Sequence, residues 1–82
     1  MKELLVFSAT WCGPCKSYKE VLNSTVVPVS KVQIYDIDES MELAAKYAIR
    51  GVPTSILLVD GEVQARKSGG MTKEALINFC NS

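Results

Sequence analysis

The 82-residue sequence contains no histidine, carries no net charge because nine basic residues balance nine acidic ones, and has no apolar run longer than four residues. Each absence removes a class of protein. With no histidine and only three cysteines, the chain falls short of the four ligands a structural zinc site needs. Without net charge or a run of like charge there is no electrostatic footprint for nucleic acid or an anionic membrane, so partners are expected to be met through apolar or backbone contacts. Ile56-Leu57-Leu58-Val59 is far below the ~20 residues of a membrane span. Met1-Lys2-Glu3 followed by four apolar residues is too short for a signal peptide, so the expectation is a soluble, cytoplasmic protein. An odd cysteine count argues against a secreted disulfide scaffold and suits a reducing compartment, where dithiols are catalytic. No repeat or low-complexity segment is visible. A chain of this length buries roughly 60% of its unfolded surface, which predicts one small domain, residues 1–82.

What is present centres on Thr10-Trp11-Cys12-Gly13-Pro14-Cys15-Lys16. Two cysteines separated by two residues lie where the apolar stretch Leu4-Leu5-Val6-Phe7 gives way to a helical pattern, and Pro14 suits a first helical turn. This reads as a reactive dithiol at a helix N-terminus. Unpaired backbone N–H groups and the positive end of the helix dipole favour Cys12 as thiolate, and Lys16 adds a nearby positive charge. Cys15, about one turn into the helix, is placed closer to the core. Cys12 is therefore assigned as the attacking thiolate and Cys15 as the thiol that resolves the mixed disulfide. Gly13 has no Cβ to block a partner, and Pro14 restricts the loop. Trp11, amphipathic and next to the nucleophile, is assigned to partner binding rather than to the core.

Taken in order, residues 3–8 read as a strand apolar on both faces, as in a sheet covered on two sides. A helix from Gly13 or Pro14 turns Cys15, Tyr18, Val21 and Leu22 to one side. Residues 32–37 form a second strand, which a crossover of this length pairs in parallel with the first. Asp38 or Ser40 then caps a second helix whose apolar face is Met41, Ala44, Ala45 and Ala48, with Arg50 in its last turn and Gly51 as its stop. Pro53 ends that pattern, and residues 54–59 form strand three. Asp60-Gly61 is a hairpin signal joining it to residues 63–67. Ser68-Gly69-Gly70 is a turn, and Thr72 caps a last helix carrying Leu76, Phe79 and Cys80 on one face. The order is βαβαββα, an α/β fold with a four-stranded mixed sheet flanked by three helices. Cys80 reads as a buried structural thiol, and Tyr18, Tyr35 and Tyr47 as packing residues.

Trp11-Cys12-Gly13-Pro14-Cys15-Lys16 resembles the active-site motif of the thioredoxin family, which is also a standard example of a low-pKa Cys-X-X-Cys pair. Ile49-Arg50-Gly51-Val52-Pro53-Thr54 is similar to the segment carrying that family's cis-proline, and Asp60-Gly61-Glu62-Val63 followed by Gly69 gives a third match. The resemblance implies a truncated thioredoxin fold, lacking the strand and helix that precede the dithiol strand in the full one. It further implies a cis bond before Pro53, backbone hydrogen bonds from Val52 to a substrate strand, and Gly69 leaving room for substrate across the groove. The implied activity is reduction of protein disulfides by dithiol–disulfide exchange. No bound cofactor is expected; reducing equivalents come from NADPH through a thioredoxin reductase, the partners are that reductase and disulfide-containing proteins, and the protein is a monomer.

By the same resemblance Val6 replaces a buried aspartate beneath the dithiol and Ile34 its lysine neighbour, so a buried ion pair is expected to have become two hydrophobes. Two other readings stand beside the main one. Gly69-Gly70 resembles the glycine pair that glutaredoxins use beside glutathione, although Gly-Pro between the cysteines is not their usual pattern. A non-catalytic docking module is the alternative outside enzymes, and a permanent structural disulfide the plainest reading of the two cysteines.

Overall fold

The computed structural model describes residues 1–81. The elements follow as β1 (Lys2–Ser8), α1 (Gly13–Ser24), β2 (Lys31–Asp36), α2 (Met41–Lys46), β3 (Thr54–Val59), β4 (Glu62–Ser68) and α3 (Lys73–Cys80). One mixed sheet has the order β2-β1-β3-β4. β1 pairs β2 in parallel, with Val6 opposite Ile34, and pairs β3 antiparallel, with Val6 opposite Ser55. The expected βαβαββα architecture is the one observed.

Central position explains the double-sided apolarity of β1. Leu4 and Val6 turn to one face, where they form a cluster with Tyr18 and Leu22 of α1 and Leu76 and Cys80 of α3. Leu5 and Phe7 turn to the other, where Ile56 and Leu58 of β3 join the side chains of Leu43, Ala44 and Tyr47. Two cores on opposite faces of one strand fix its register, because a one-residue slip would exchange both sets at once. Asp60 and Gly61 adopt φ of 53° and 86°, as the two-residue hairpin between β3 and β4 requires. A bulge in that pairing, between Leu57 and Leu58, leaves Gln64 as the extra residue of β4. Thr72 caps α3 by accepting the N–H of Ala75 at 3.2 Å.

The second helix departs from the expectation twice. Its core-facing side is the half-buried Leu43, Ala44 and Tyr47, whereas Met41 is 71% exposed and Ala45 and Ala48 also face solvent. The helix is six residues long, too short for a full stripe, and its orientation is set by the two largest apolar side chains, Leu43 and Tyr47, one turn apart. Tyr47 reaches the Phe7 ring, with centroids 6.0 Å apart. The stop is Ala48, not Gly51. Ala48 takes φ 53°, its N–H donates to the Ala45 carbonyl at 3.1 Å, and the Ile49 N–H donates to the Ala44 carbonyl at 2.9 Å, which is a Schellman ending. The turn folds Ile49 back onto the Phe7 core; that burial offsets about 1–2 kcal/mol for holding a non-glycine residue in left-handed geometry. Arg66 of β4 completes the ending by donating to the Tyr47 carbonyl at 2.8 Å and the Ala48 carbonyl at 3.4 Å. Ser40 is the N-cap, but its side chain makes no cap bond, and Asp38 is engaged elsewhere.

Candidate active site

The dithiol sits at the C-terminal end of β1, where parallel α/β topologies place their sites. Cys12 is the N-cap of α1, in extended geometry, and its sulfur accepts the backbone N–H of Cys15 at 3.3 Å. Pro14 follows in the first turn, where its missing N–H costs nothing. Cys12 and Cys15 are joined as a disulfide with Cα atoms 5.3 Å apart. Cys15 is 1% exposed and Cys12 5%, so the expected order of depth holds, yet the difference is small. Ala9, Ile37 and Val52 account for this, since they pack against the pair and leave only a narrow approach to Cys12.

The opposing wall is the turn before β3. The Val52–Pro53 bond is cis, Pro53 is buried, and the Val52 carbonyl lies 3.7 Å from the Cys12 sulfur. Thr54 Oγ1 donates to the Gly51 carbonyl at 2.6 Å and ties the turn to the start of β3. Gly69 is brought alongside by its N–H, which donates to the Pro53 carbonyl at 2.8 Å. At φ +87° Gly69 has a backbone that side chains rarely adopt, and a Cβ there would meet nothing within 4 Å, so the turn requirement and the open space coincide. Trp11 is 68% exposed, and its indole N–H donates to Asp38 Oδ2 at 3.2 Å, which holds the ring at the rim. Gly13 and Lys16 are exposed on the same rim.

The face of β1 that carries α1 and α3 is apolar with one polar insertion. Val6 is fully buried as expected, but Ile34 remains 42% exposed, and its strand β2 is the edge of the sheet among the described residues. Only one of the two expected hydrophobic replacements is therefore buried. Beside Val6, Ser55 is fully buried and shares a 2.7 Å hydrogen bond with the Tyr18 hydroxyl. Burial pushes the Tyr18 hydroxyl pKa above its ordinary value, and the Ser55 bond offsets part of that. Cys80 is a free buried thiol in the α1–α3 core, its pKa also raised by burial, with the charge of Lys2 acting against the shift. Among the described residues no group of three or more His, Cys, Asp or Glu side chains could hold a metal ion.

Sequence reasoning missed three contributors. Ile37 and Asp38 follow β2, whose C-terminal end lies beside that of β1 in the parallel pair; the parallel register was the available signal. Ser55 carried no local signal, since a small polar residue inside an apolar strand is interpretable only once Tyr18 is seen opposite it.

Comparison with known proteins agrees with this geometry. The family model described as Thioredoxin matches residues 1–82. A thioredoxin of Pseudomonas aeruginosa is 38% identical over 82 residues, covering 96% of this chain and 76% of its own length. One from Bacillus subtilis is 40% identical over 78 residues, covering 92% and 75%. Among solved structures, a mutant thioredoxin from Halobacterium salinarum superposes with a TM-score of 0.87 at 34% identity, covering 98% of this chain and 72% of that one. The chain thus spans about three quarters of the length of these relatives.

Proposed function

The chain belongs to the thioredoxin family and is a thiol–disulfide oxidoreductase, and we propose that it reduces protein disulfides with Cys12 as the attacking thiolate and Cys15 as the resolving thiol. The observation that carries the assignment is the N-cap geometry. Cys15 N–H points at the Cys12 sulfur from the first turn of α1, and a donor aimed at that atom favours the thiolate over the thiol.

The electron balance is closed within the two cysteines and the substrate. The Cys12 thiolate attacks one sulfur of the substrate disulfide, forming a mixed disulfide and releasing the other substrate sulfur as a thiolate that takes up a proton. Cys15 then loses its proton and attacks the Cys12 sulfur, which breaks the mixed disulfide, releases the second substrate thiol and leaves the Cys12–Cys15 disulfide. Two electrons have passed to the substrate. They are restored by a thioredoxin reductase using NADPH, in a cytoplasmic setting that keeps the dithiol reduced. Val52 is positioned to offer its backbone to a substrate strand beside the cis-proline, Gly69 leaves the groove clear, and Trp11, held by Asp38, supplies the outer contact. Gly13, Pro14 and Lys16 shape and charge the rim. Residues 1–82 act as one functional unit.

The glutathione reading is the weaker one, because Gly69 already has a structural occupation in the positive φ of the turn before α3. The test is turnover of a protein disulfide with NADPH plus thioredoxin reductase against NADPH plus glutathione and glutathione reductase, with Cys12→Ser as control. Turnover with the first system and loss in Cys12→Ser is the expected result. Turnover only with glutathione, or full activity in Cys12→Ser, contradicts it.

A further inference from the structure

We propose that a cleft between α1 and the β4–α3 connection receives a bulky apolar side chain of the disulfide-bearing substrate, flanking the cysteine that reacts at Cys12. The inference rests on the reductase reading above and names a specificity determinant for it. The cleft has a volume of about 430 Å³, within the range of about 300–1,000 Å³ found for binding pockets. Ser17, Tyr18 and Val21 line it from the helix, and Gly70, Met71 and Thr72 from the connection.

Its position ties it to the dithiol. Pro14, the second of the two residues between the cysteines, lines the cleft, so the cleft borders the loop that carries Cys12. At the other side, Gly70 follows Gly69, whose N–H is bonded to the Pro53 carbonyl. The cleft and the cis-proline wall therefore belong to one continuous surface.

Its chemistry selects an apolar occupant. None of the lining side chains is charged. The Tyr18 hydroxyl is turned inward to Ser55, and Thr72 Oγ1 is engaged by the Ala75 N–H. A charged substrate residue entering here would lose hydration against a lining whose Tyr18 and Thr72 hydroxyls are committed elsewhere, whereas a leucine or phenylalanine would be removed from water. Gly70 keeps the floor open. A Cβ at that position would lie 3.6 Å from Tyr18 Cβ, an ordinary contact, so a side chain can be built there without a clash and would occupy the cleft. Ser17 is exposed on α1 and can be enlarged without disturbing the core.

The experiment measures kcat/KM for disulfide-linked peptides that carry Leu, Ala or Asp at the positions flanking the cysteine. Wild type, Ser17→Trp and Gly70→Val are compared, each checked for folding by far-UV circular dichroism. The expected result is a wild-type preference of roughly tenfold for Leu over Asp at one flanking position, the scale set by burying part of a leucine side chain. That preference falls to about twofold or less in both filled variants. A preference that is unchanged or increased in the filled variants, or no wild-type preference at any flanking position, overturns the cleft proposal alone. Turnover of none of the peptides by the wild type overturns the reductase reading and the cleft proposal together.

Discussion

Val6→Asp would place a carboxyl in a site that is 0% exposed, within the cluster that α1 and α3 pack onto β1. Two costs arise. Losing the buried valine contributes about 1–2 kcal/mol at any pH. The second cost depends on pH. Full burial raises a carboxyl pKa by about 3 units or more, from about 4 in the unfolded chain towards about 7 in the native one, with Ser55 opposite on the neighbouring strand and the Tyr18 hydroxyl bonded to it. Below pH ~4 both states hold the proton and no pH-dependent cost is felt. Between about pH 4 and 7 the unfolded chain releases its proton while the native protein retains it, so stability falls with rising pH by about 1.4 kcal/mol per unit, a total of about 4 kcal/mol. The same carboxylate would supply a proton acceptor on the strand that leads into the dithiol, beside the serine–tyrosine hydroxyl pair. Urea unfolding of the variant and wild type at pH 4.5 and pH 7.5, with disulfide-reduction rates over the same range, measures both effects. A stability difference that does not widen as pH rises would refute the burial argument, and superimposable pH–rate profiles would refute the catalytic one.

Three further outcomes follow from the same contacts. Ala48→Gly should stabilise the protein by about 0.5–1 kcal/mol in urea unfolding, because glycine accepts the positive φ that Ala48 holds at the end of α2. Tyr18→Phe should cost about 1–3 kcal/mol, since it leaves the Ser55 hydroxyl buried without its 2.7 Å partner, and Tyr18→Phe combined with Ser55→Ala should recover part of that loss. In reduced native protein, iodoacetamide should modify Cys12 at pH 7.5 while Cys80, buried and raised in pKa, reacts only after unfolding; mass spectrometry of the peptides reads the difference.

Much of the architecture was legible because the local signals were strong and consistent. Asp60-Gly61 admits the positive φ values that a tight hairpin needs, Thr72 stands at a cap, and β1 is apolar on both faces because it is central. The dithiol was legible for a different reason: its chemistry depends on a short fixed spacing that sequence displays directly. The misreadings arose where tertiary contacts override local preference. Gly51 is the better helix stop by propensity, but ending α2 at Ala48 buries Ile49 and presents the last carbonyls to Arg66, a residue 18 positions away. The family resemblance sets Ile34 beside Val6, as the replacement of a lysine next to a buried aspartate, and only the sheet order reveals that its strand is the edge among the described residues. The 3.2 Å link from Trp11 to Asp38 likewise spans 27 residues and has no local signature.

The division of labour between the two cysteines is the centre of this account, and trapping tests it most directly. Cys15→Ser and Cys12→Ser are each mixed with a disulfide-bonded protein, quenched with acid and weighed by intact-mass spectrometry. The account predicts that Cys15→Ser accumulates a mixed disulfide through Cys12, because attack proceeds and resolution is blocked, while Cys12→Ser accumulates none. A stable adduct through Cys15 in Cys12→Ser, with no adduct in Cys15→Ser, would contradict it.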